Sequence, residues 1–272
     1  MDSSASDTVF GGAIPELYDR LLVPLIFEPY AVDLVDRLAL MQAARVLEVA
    51  AGTGVVTRRM AARLPASASI VATDLNQAML DRAADVGTQR PVQWRQADAA
   101  KLPFDDGAFD AVVCQFGVMF FPDKAAAFAE VRRVLAPGGT FLFNAWDRIE
   151  DNEFTDTVTA ALAALFPEDP PRFMARTPHG YHDLARIAAD LELGGFATAP
   201  RTHTVAARSR AASARLAAMA LCMGTPLRSE IEARRGASLE VACAAATAAL
   251  AARFGDGAID GRIQAHVVVV EA

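Results

Sequence analysis

Cysteine is scarce in this chain and scattered where it occurs. Cys114, Cys222 and Cys243 stand far apart in apolar surroundings without a C-x-x-C spacing, which argues against a zinc site and against a disulfide framework. A reducing cytoplasm is the compartment this usage fits. Positive charge is in deficit too: 26 Lys and Arg face 33 Asp and Glu, for a net charge of −7. No Lys/Arg-rich run with interleaved aromatics occurs, so nothing here attracts a phosphate backbone, and a nucleic-acid substrate is not expected. No run of about 18 uncharged apolar residues appears, and the opening segment MDSSASDTVFGGAIPELYDR lacks the charged and apolar regions of a leader. A soluble protein without a membrane partner is therefore expected. Repeats, low-complexity linkers, a metal-ligand cluster and a nucleophile elbow are equally absent from the sequence.

What is present is apolar bulk: 53% of the 272 residues are hydrophobic, enough for one substantial core with an appended lid. Short β-rich apolar runs alternate with alanine-rich amphipathic stretches, the pattern of parallel strands joined by crossover helices. Strands are predicted near residues 45–49, 69–73, 92–96, 109–114, 139–145, 199–206 and 264–270. Helices are predicted over 56–64, 77–86 and 124–135, the last stopped at Pro137-Gly138-Gly139.

The run VLEVAAGTG, Val46 to Gly54, ends a strand in an acidic residue and a small-residue turn before a helix. Gly52 and Gly54, with the small Ala50 and Ala51, clear side-chain bulk where a backbone bends and a ligand approaches. The spacing is E-x-A-x-G-x-G and not G-x-G-x-x-G, and Glu48 would repel a pyrophosphate, so a dinucleotide fits less well. Asp74 tips the next apolar run, where a carboxylate can accept both hydroxyls of a ribose diol. Leu75 would press an adenine. Asp98 follows the run Val92 to Gln96 and can accept from an adenine amino group. Taken singly, such acids are ordinary caps; three in order at successive strand ends are more specific.

With these residues and the later block LPFDDGAFDAVVCQFGVMFFPDKAAAFAEVRRVLAPGGTFLF, the chain resembles the class I S-adenosylmethionine-dependent methyltransferases. It is most similar to the small-molecule branch that includes the ubiquinone and menaquinone C-methyltransferases. The resemblance covers roughly Ala44 to Trp146. It implies an α/β fold with a seven-stranded, mostly parallel, doubly wound, Rossmann-like sheet ending in an antiparallel hairpin, with S-adenosyl-L-methionine as cofactor. It further implies a cofactor set of Tyr18, Glu48, Ala50, Gly52, Gly54, Asp74, Leu75, Met79, Asp98, Ala99 and Gln115. Ala50 departs from the family, which usually has glycine there, and its Cβ is expected to narrow the groove slightly.

A single domain is expected: an N-terminal helical cover over 1–43, a cofactor core over 44–147, and helical lid insertions over 148–196 and 207–256. The prolines of FPEDPPRFMARTPHGYHD interrupt the first insertion, and Gly224-Thr225-Pro226 breaks the second; such alanine-rich helices alternatively pack as inert helices or form a dimer surface. Tyr18 can offer its ring or hydroxyl to a sulfonium, and Phe27, Tyr30, Phe116, Met119, Phe120 and Phe121 can wall a flat acceptor or simply pack. His179 and His182 are the candidate general bases, with His203 behind them, although methyl transfer needs none. The expected activity is methyl transfer to a small, apolar or aromatic metabolite. The alternatives are a non-catalytic scaffold that binds the same cofactor and an NAD-dependent oxidoreductase.

Overall fold

The computed structural model describes Phe10, Gly12 and residues 14–272. The rest of the expected N-terminal cover, residues 1–9, 11 and 13, lies outside the described residues.

Seven strands form one sheet: β1 (Arg45–Val49), β2 (Ser69–Asp74), β3 (Gln93–Gln96), β4 (Phe109–Gln115), β5 (Leu135–Trp146), β6 (Arg201–Ala211) and β7 (Ile259–Glu271), in the order β3-β2-β1-β4-β5-β7-β6. β1 pairs in parallel with β2 and β4, β2 with β3, and β4 with β5. β7 is the reversed strand. The Ala272 amide meets the Gly139 carbonyl at 2.9 Å and the Asp147 amide meets the Gln264 carbonyl at 3.1 Å, so β5 and β7 run in opposite senses. Arg208 on Asp260 and Thr204 beside His266 give the same reading for β6 and β7. The sheet is thus the α/β, mostly parallel architecture that the sequence led us to expect.

Helices Val55–Arg63, Gln77–Val86 and Lys124–Val134 are the crossovers. The reversal into β5 comes earlier than Pro137-Gly138-Gly139. The Lys124–Val134 helix closes at Leu135, whose amide reaches the Val131 carbonyl, and the Pro-Gly-Gly residues lie inside β5. They are taken up where the register shifts between Phe109 and Ala111 of β4, in a bulge that lets the buried Leu135 pair with Phe109.

By contacts the chain divides into two compact units. One comprises Pro29–Ala145, Tyr181–Val205 and Ala265–Ala272; the other comprises the chain up to Glu28, Trp146–Gly180 and Ala206–Gln264. The first has an aromatic core on one sheet face: the Phe128 ring stands 5.9 Å from Phe141 and 5.8 Å from Phe143, and Phe141 stacks on Phe196. In the second, helices Ala214–Met223 and Leu239–Phe254 pack on each other, and Ala217, Ala218, Ala242 and Ala246 on them are buried. Their serine caps, Ser213 and Ser238, each accept from an amide three residues on. Tyr18–Phe27 winds as a π-helix containing Pro24, and the Glu28 amide reaches back five residues to Val23.

Candidate functional site

The order of the sheet reverses between β1 and β4, so a crevice opens beyond their carboxyl ends, the usual ligand position of such sheets. Ten of the eleven expected cofactor residues, from Glu48 to Gln115, belong to the unit that contains this crevice. Tyr18 belongs to the other unit, where its ring stacks on Phe27 at 5.1 Å and meets Phe10 edge-on at 6.0 Å.

Glu48, next to last in β1, is almost completely buried and accepts a short hydrogen bond from Thr57 in the first turn of the following helix. Burial drives its carboxyl pKa up from 4.5 to about 8. The Thr57 hydroxyl and Arg58 oppose this rise, and the nearby Asp74 carboxylate adds to it. Glu48 consequently holds its proton through most of the neutral range.

The turn after β1 is tied to the tip of β2. The Ala51 amide donates to the Thr73 carbonyl at 2.8 Å, and the Gly52 amide donates to Asp74 Oδ2 at 2.8 Å. The other oxygen, Oδ1, accepts from the Asn76 amide at 2.8 Å. Asp74 is 8% exposed; burial raises its pKa while the amides of Asn76, Gly52 and Leu75 pull it down. The Asn76 side-chain amide adds a long contact to Oδ1 at 3.5 Å; a carboxylate has about four lone-pair sites, and the two close bonds, from Gly52 and Asn76, divide between its oxygens, which leaves room for a further donor. Gly54, at φ +83°, precedes a helix whose first turn has no side-chain cap, which leaves amides for an anion. A Cβ on Gly54 would lie 3.0 Å from the Trp94 ring and 3.1 Å from Ala83.

Leu75 projects half-exposed beyond β2, whereas Met79 is buried at the base of the next helix. Gln96 donates to the Leu75 carbonyl at 2.8 Å and so joins the tips of β2 and β3. Asp98 is exposed and accepts from the Ala100 amide at 2.9 Å across a turn that contains Ala99.

Just past the end of β4, the backbone is strained at Phe116. Phe116 has φ +53°, uncommon for a bulky residue, and its buried ring meets Tyr30 edge-on at 5.3 Å. Ala50 is also in the left-handed region, at φ +55°. Its methyl faces Gly117: a Cβ at 117 would fall 2.5 Å from that of Ala50 and 2.7 Å from Cys114 Sγ. The methyl that the sequence places in the turn is thus accommodated by a missing side chain two residues past the end of β4.

The HGYHD histidines divide between the units. His179 is buried, its Nδ1 2.8 Å from the Asp147 carbonyl and its ring against Trp146; His182 is half-buried in the unit with the crevice. His203 is exposed on β6. Among the described residues, no three or more His, Cys, Asp or Glu side chains are grouped to hold a metal, and no helix is long and apolar enough to cross a membrane.

Sequence reading passed over three polar side chains here. Thr57 is the partner of Glu48. The Thr53 hydroxyl and the Asn144 amide are buried with no hydrogen-bond partner. Asn144 did carry a signal, as the polar residue within FLFNAW.

A methyltransferase-domain family matches residues 47–143. A ubiquinone/menaquinone biosynthesis C-methyltransferase of Idiomarina loihiensis is 37% identical over 45% of this chain and 47% of its own length. That of Teredinibacter turnerae is 31% identical over 56% of this chain and 67% of its own. This chain thus spans between about two fifths and two thirds of the length of the curated relatives it matches. A crystal structure of Haemonchus contortus phosphoethanolamine N-methyltransferase 2, in complex with S-adenosyl-L-methionine, shares the fold at TM-score 0.56 and 16% identity, over 95% of this chain and 56% of that one. With its reversed seventh strand, glycine turn and acidic strand tips, the chain belongs to the class I S-adenosylmethionine-dependent methyltransferases.

Proposed function

We propose that this chain transfers a methyl group from S-adenosyl-L-methionine to a small, neutral, largely apolar acceptor, of which a quinol-like or other aromatic ring is the best-supported kind. The observation that carries the reading is the Asp74 carboxylate, laced to the turn through Gly52 and to its own loop through Asn76 with acceptor capacity left over. The curated relatives named above act in quinone biosynthesis, which supports the acceptor class.

The residues present fit this cofactor. The orphaned Thr53 hydroxyl and the uncapped helix after Gly54 offer donors to a carboxylate. Glu48 offers an acceptor to an ammonium once it gives up its proton. Asp74 would clamp the ribose, Leu75 would cover the adenine, and Met79, buried beneath, would support that loop. Asp98 and Ala99 would hold the adenine edge, and Gln115 would face the methionine portion. Tyr18 is proposed to offer its ring or hydroxyl to the sulfonium, and the insertions over 148–196 and 207–256 to define the acceptor.

When bound, the cofactor supplies an electrophilic methyl on sulfur, displaced in line by the acceptor atom. The chain's own tasks are alignment and exclusion of water, and positioning of this kind supplies several kcal/mol. His179 and His182 remain the candidates for taking a proton from the acceptor, although the Nδ1 of His179 is engaged by the Asp147 carbonyl.

Calorimetric titration with S-adenosylmethionine, S-adenosylhomocysteine and NAD tests the reading. Micromolar binding of both sulfur compounds without NAD is expected, followed by methyl transfer to a quinol. Binding of NAD alone would overturn it, and cofactor binding without transfer to any acceptor would favour the scaffold.

A further inference from the structure

β5 runs through the core as an apolar strand interrupted by one amide. Asn144 is fully buried, and neither its Nδ2 nor its Oδ1 has a hydrogen-bond partner. Two unpaired polar atoms at one buried site are costly to a fold, and a native structure keeps them where something else satisfies them. An apolar side chain of similar size would fill the same space without that cost.

The register fixes where the amide lies. Glu48 aligns with Val113, Val113 with Leu142, and Gln115 with Asn144. Neighbours in register share a sheet face and side chains alternate along each strand. Glu48, Gln115 and Asn144 therefore lie on one face, the last two a step nearer the carboxyl ends. The opposite face is filled by Phe141 and Phe143 against Phe128. The turn, Asp74 and Asp98 stand at the tips of β1, β2 and β3, on one side of the crevice; Asn144 stands on β5, on the far side of β4. A nucleoside laid over the first three tips leaves the β4 and β5 side for the molecule that receives the methyl.

We propose that Asn144 is a specificity-determining residue for the methyl acceptor, its Nδ2 donating to a carbonyl or hydroxyl oxygen and its Oδ1 accepting from a hydroxyl of a neutral, oxygen-bearing molecule. This rests on the methyltransferase reading. A carboxamide is uncharged and both donates and accepts, which suits a phenol, enol or hydroxyketone better than a carboxylate or an amine cation.

The test compares the wild type with Asn144→Leu, and with Asn144→Ala in case the leucine variant fails to fold, in three measurements. These are the melting temperature of the protein alone, the affinity for S-adenosylhomocysteine, and the affinity of that complex for 1-naphthol against its oxygen-free counterpart, naphthalene. The wild-type complex is expected to favour naphthol at least tenfold, and the leucine variant to lose that preference. Its affinity for S-adenosylhomocysteine should stay within twofold of wild type, and its melting temperature should be equal or a few degrees higher. A tenfold loss of S-adenosylhomocysteine affinity would assign the amide to the cofactor and overturn the proposal. So would a melting temperature several degrees lower, which marks a structural amide, or a wild type indifferent to the hydroxyl. Failure of the wild type to bind S-adenosylhomocysteine would instead remove the methyltransferase reading, and this assignment with it.

Discussion

The methyl of Ala50 and the empty side of Gly117 are complementary: a Cβ added at 117 would lie 2.5 Å from the Ala50 Cβ. Because Ala50 sits at φ +55°, its side chain points where an ordinary backbone would not send it, and the segment after β4 answers with a glycine. Gly117→Ala alone should destabilise by about 1–3 kcal/mol through overpacking. Ala50→Gly should change stability by less than about 1 kcal/mol, since relieved strain and added unfolded-state freedom oppose each other. The double variant should recover about 1 kcal/mol or more of the loss. Denaturant unfolding of the four proteins checks this, and strict additivity would mean that the two positions do not touch in solution.

Asp74→Ala removes the proposed ribose acceptor and the anchor of the Gly52 amide together, and cofactor affinity should fall by about 2 kcal/mol or more. Asp74→Asn should bind with intermediate affinity, because the amide oxygen still accepts one bond. Calorimetry on both variants reads the difference, and unchanged affinity in Asp74→Ala would remove this residue from the site.

Glu48 predicts a pH dependence. Its pKa in the folded protein, about 8, lies above the ordinary 4.5, so between those values the unfolded chain has released a proton that the native protein retains. Its contribution is therefore fully present below about pH 4.5 and declines as pH rises toward 8. Glu48→Gln keeps an oxygen for Thr57 and should match the wild type near pH 4.5 while exceeding it by several kcal/mol, up to about 5, at pH 9. Cofactor binding should tighten from pH 6.5 to 8.5 in the wild type, as the ionised form becomes available to an ammonium, and remain flat in the variant. Parallel pH profiles for the two proteins would show that Glu48 does not titrate in this range.

Leu75 and Leu80 lie five residues apart with opposite environments, half-exposed and 2% exposed respectively. Leu75→Ala should leave stability within about 0.5 kcal/mol and weaken cofactor binding by about 1 kcal/mol through lost apolar cover. Leu80→Ala should cost about 2–5 kcal/mol of stability. Thermal melts and cofactor titrations separate the two effects, and a binding loss confined to Leu80→Ala would place the adenine elsewhere.

The parts of the site that depend on neighbours in sequence were legible. The strand-turn-helix run from Val46 to Gly54 announces its own backbone, and Asp74 at the end of an apolar run needs only the period of a strand to be placed. The parts that depend on register were not. Nothing near Ala50 in sequence reveals that Gly117 lies against it. The face shared by Gln115 and Asn144 follows from the bulge around Pro137, Gly138 and Gly139, which sequence reading took for the end of a helix. Phe116 illustrates the same limit: its positive φ is held by the packing of its ring on Tyr30, from a helix 86 positions earlier.

Position in the sheet and order of synthesis disagree at β7. Among the described residues it follows every other strand, yet it occupies an interior place between β5 and β6, and β6, at the margin, has no other sheet neighbour there. A growing polypeptide can assemble β1 to β5 as each strand emerges from the ribosome. The eleven residues of β6, once made, must wait unpaired until Ile259–Glu271 arrives to bridge them to the sheet. The ribosome thus delivers the piece on which the margin depends after the strands it joins, and loss of Val267 to Val270, all buried, would strand β6 from the completed half of the sheet.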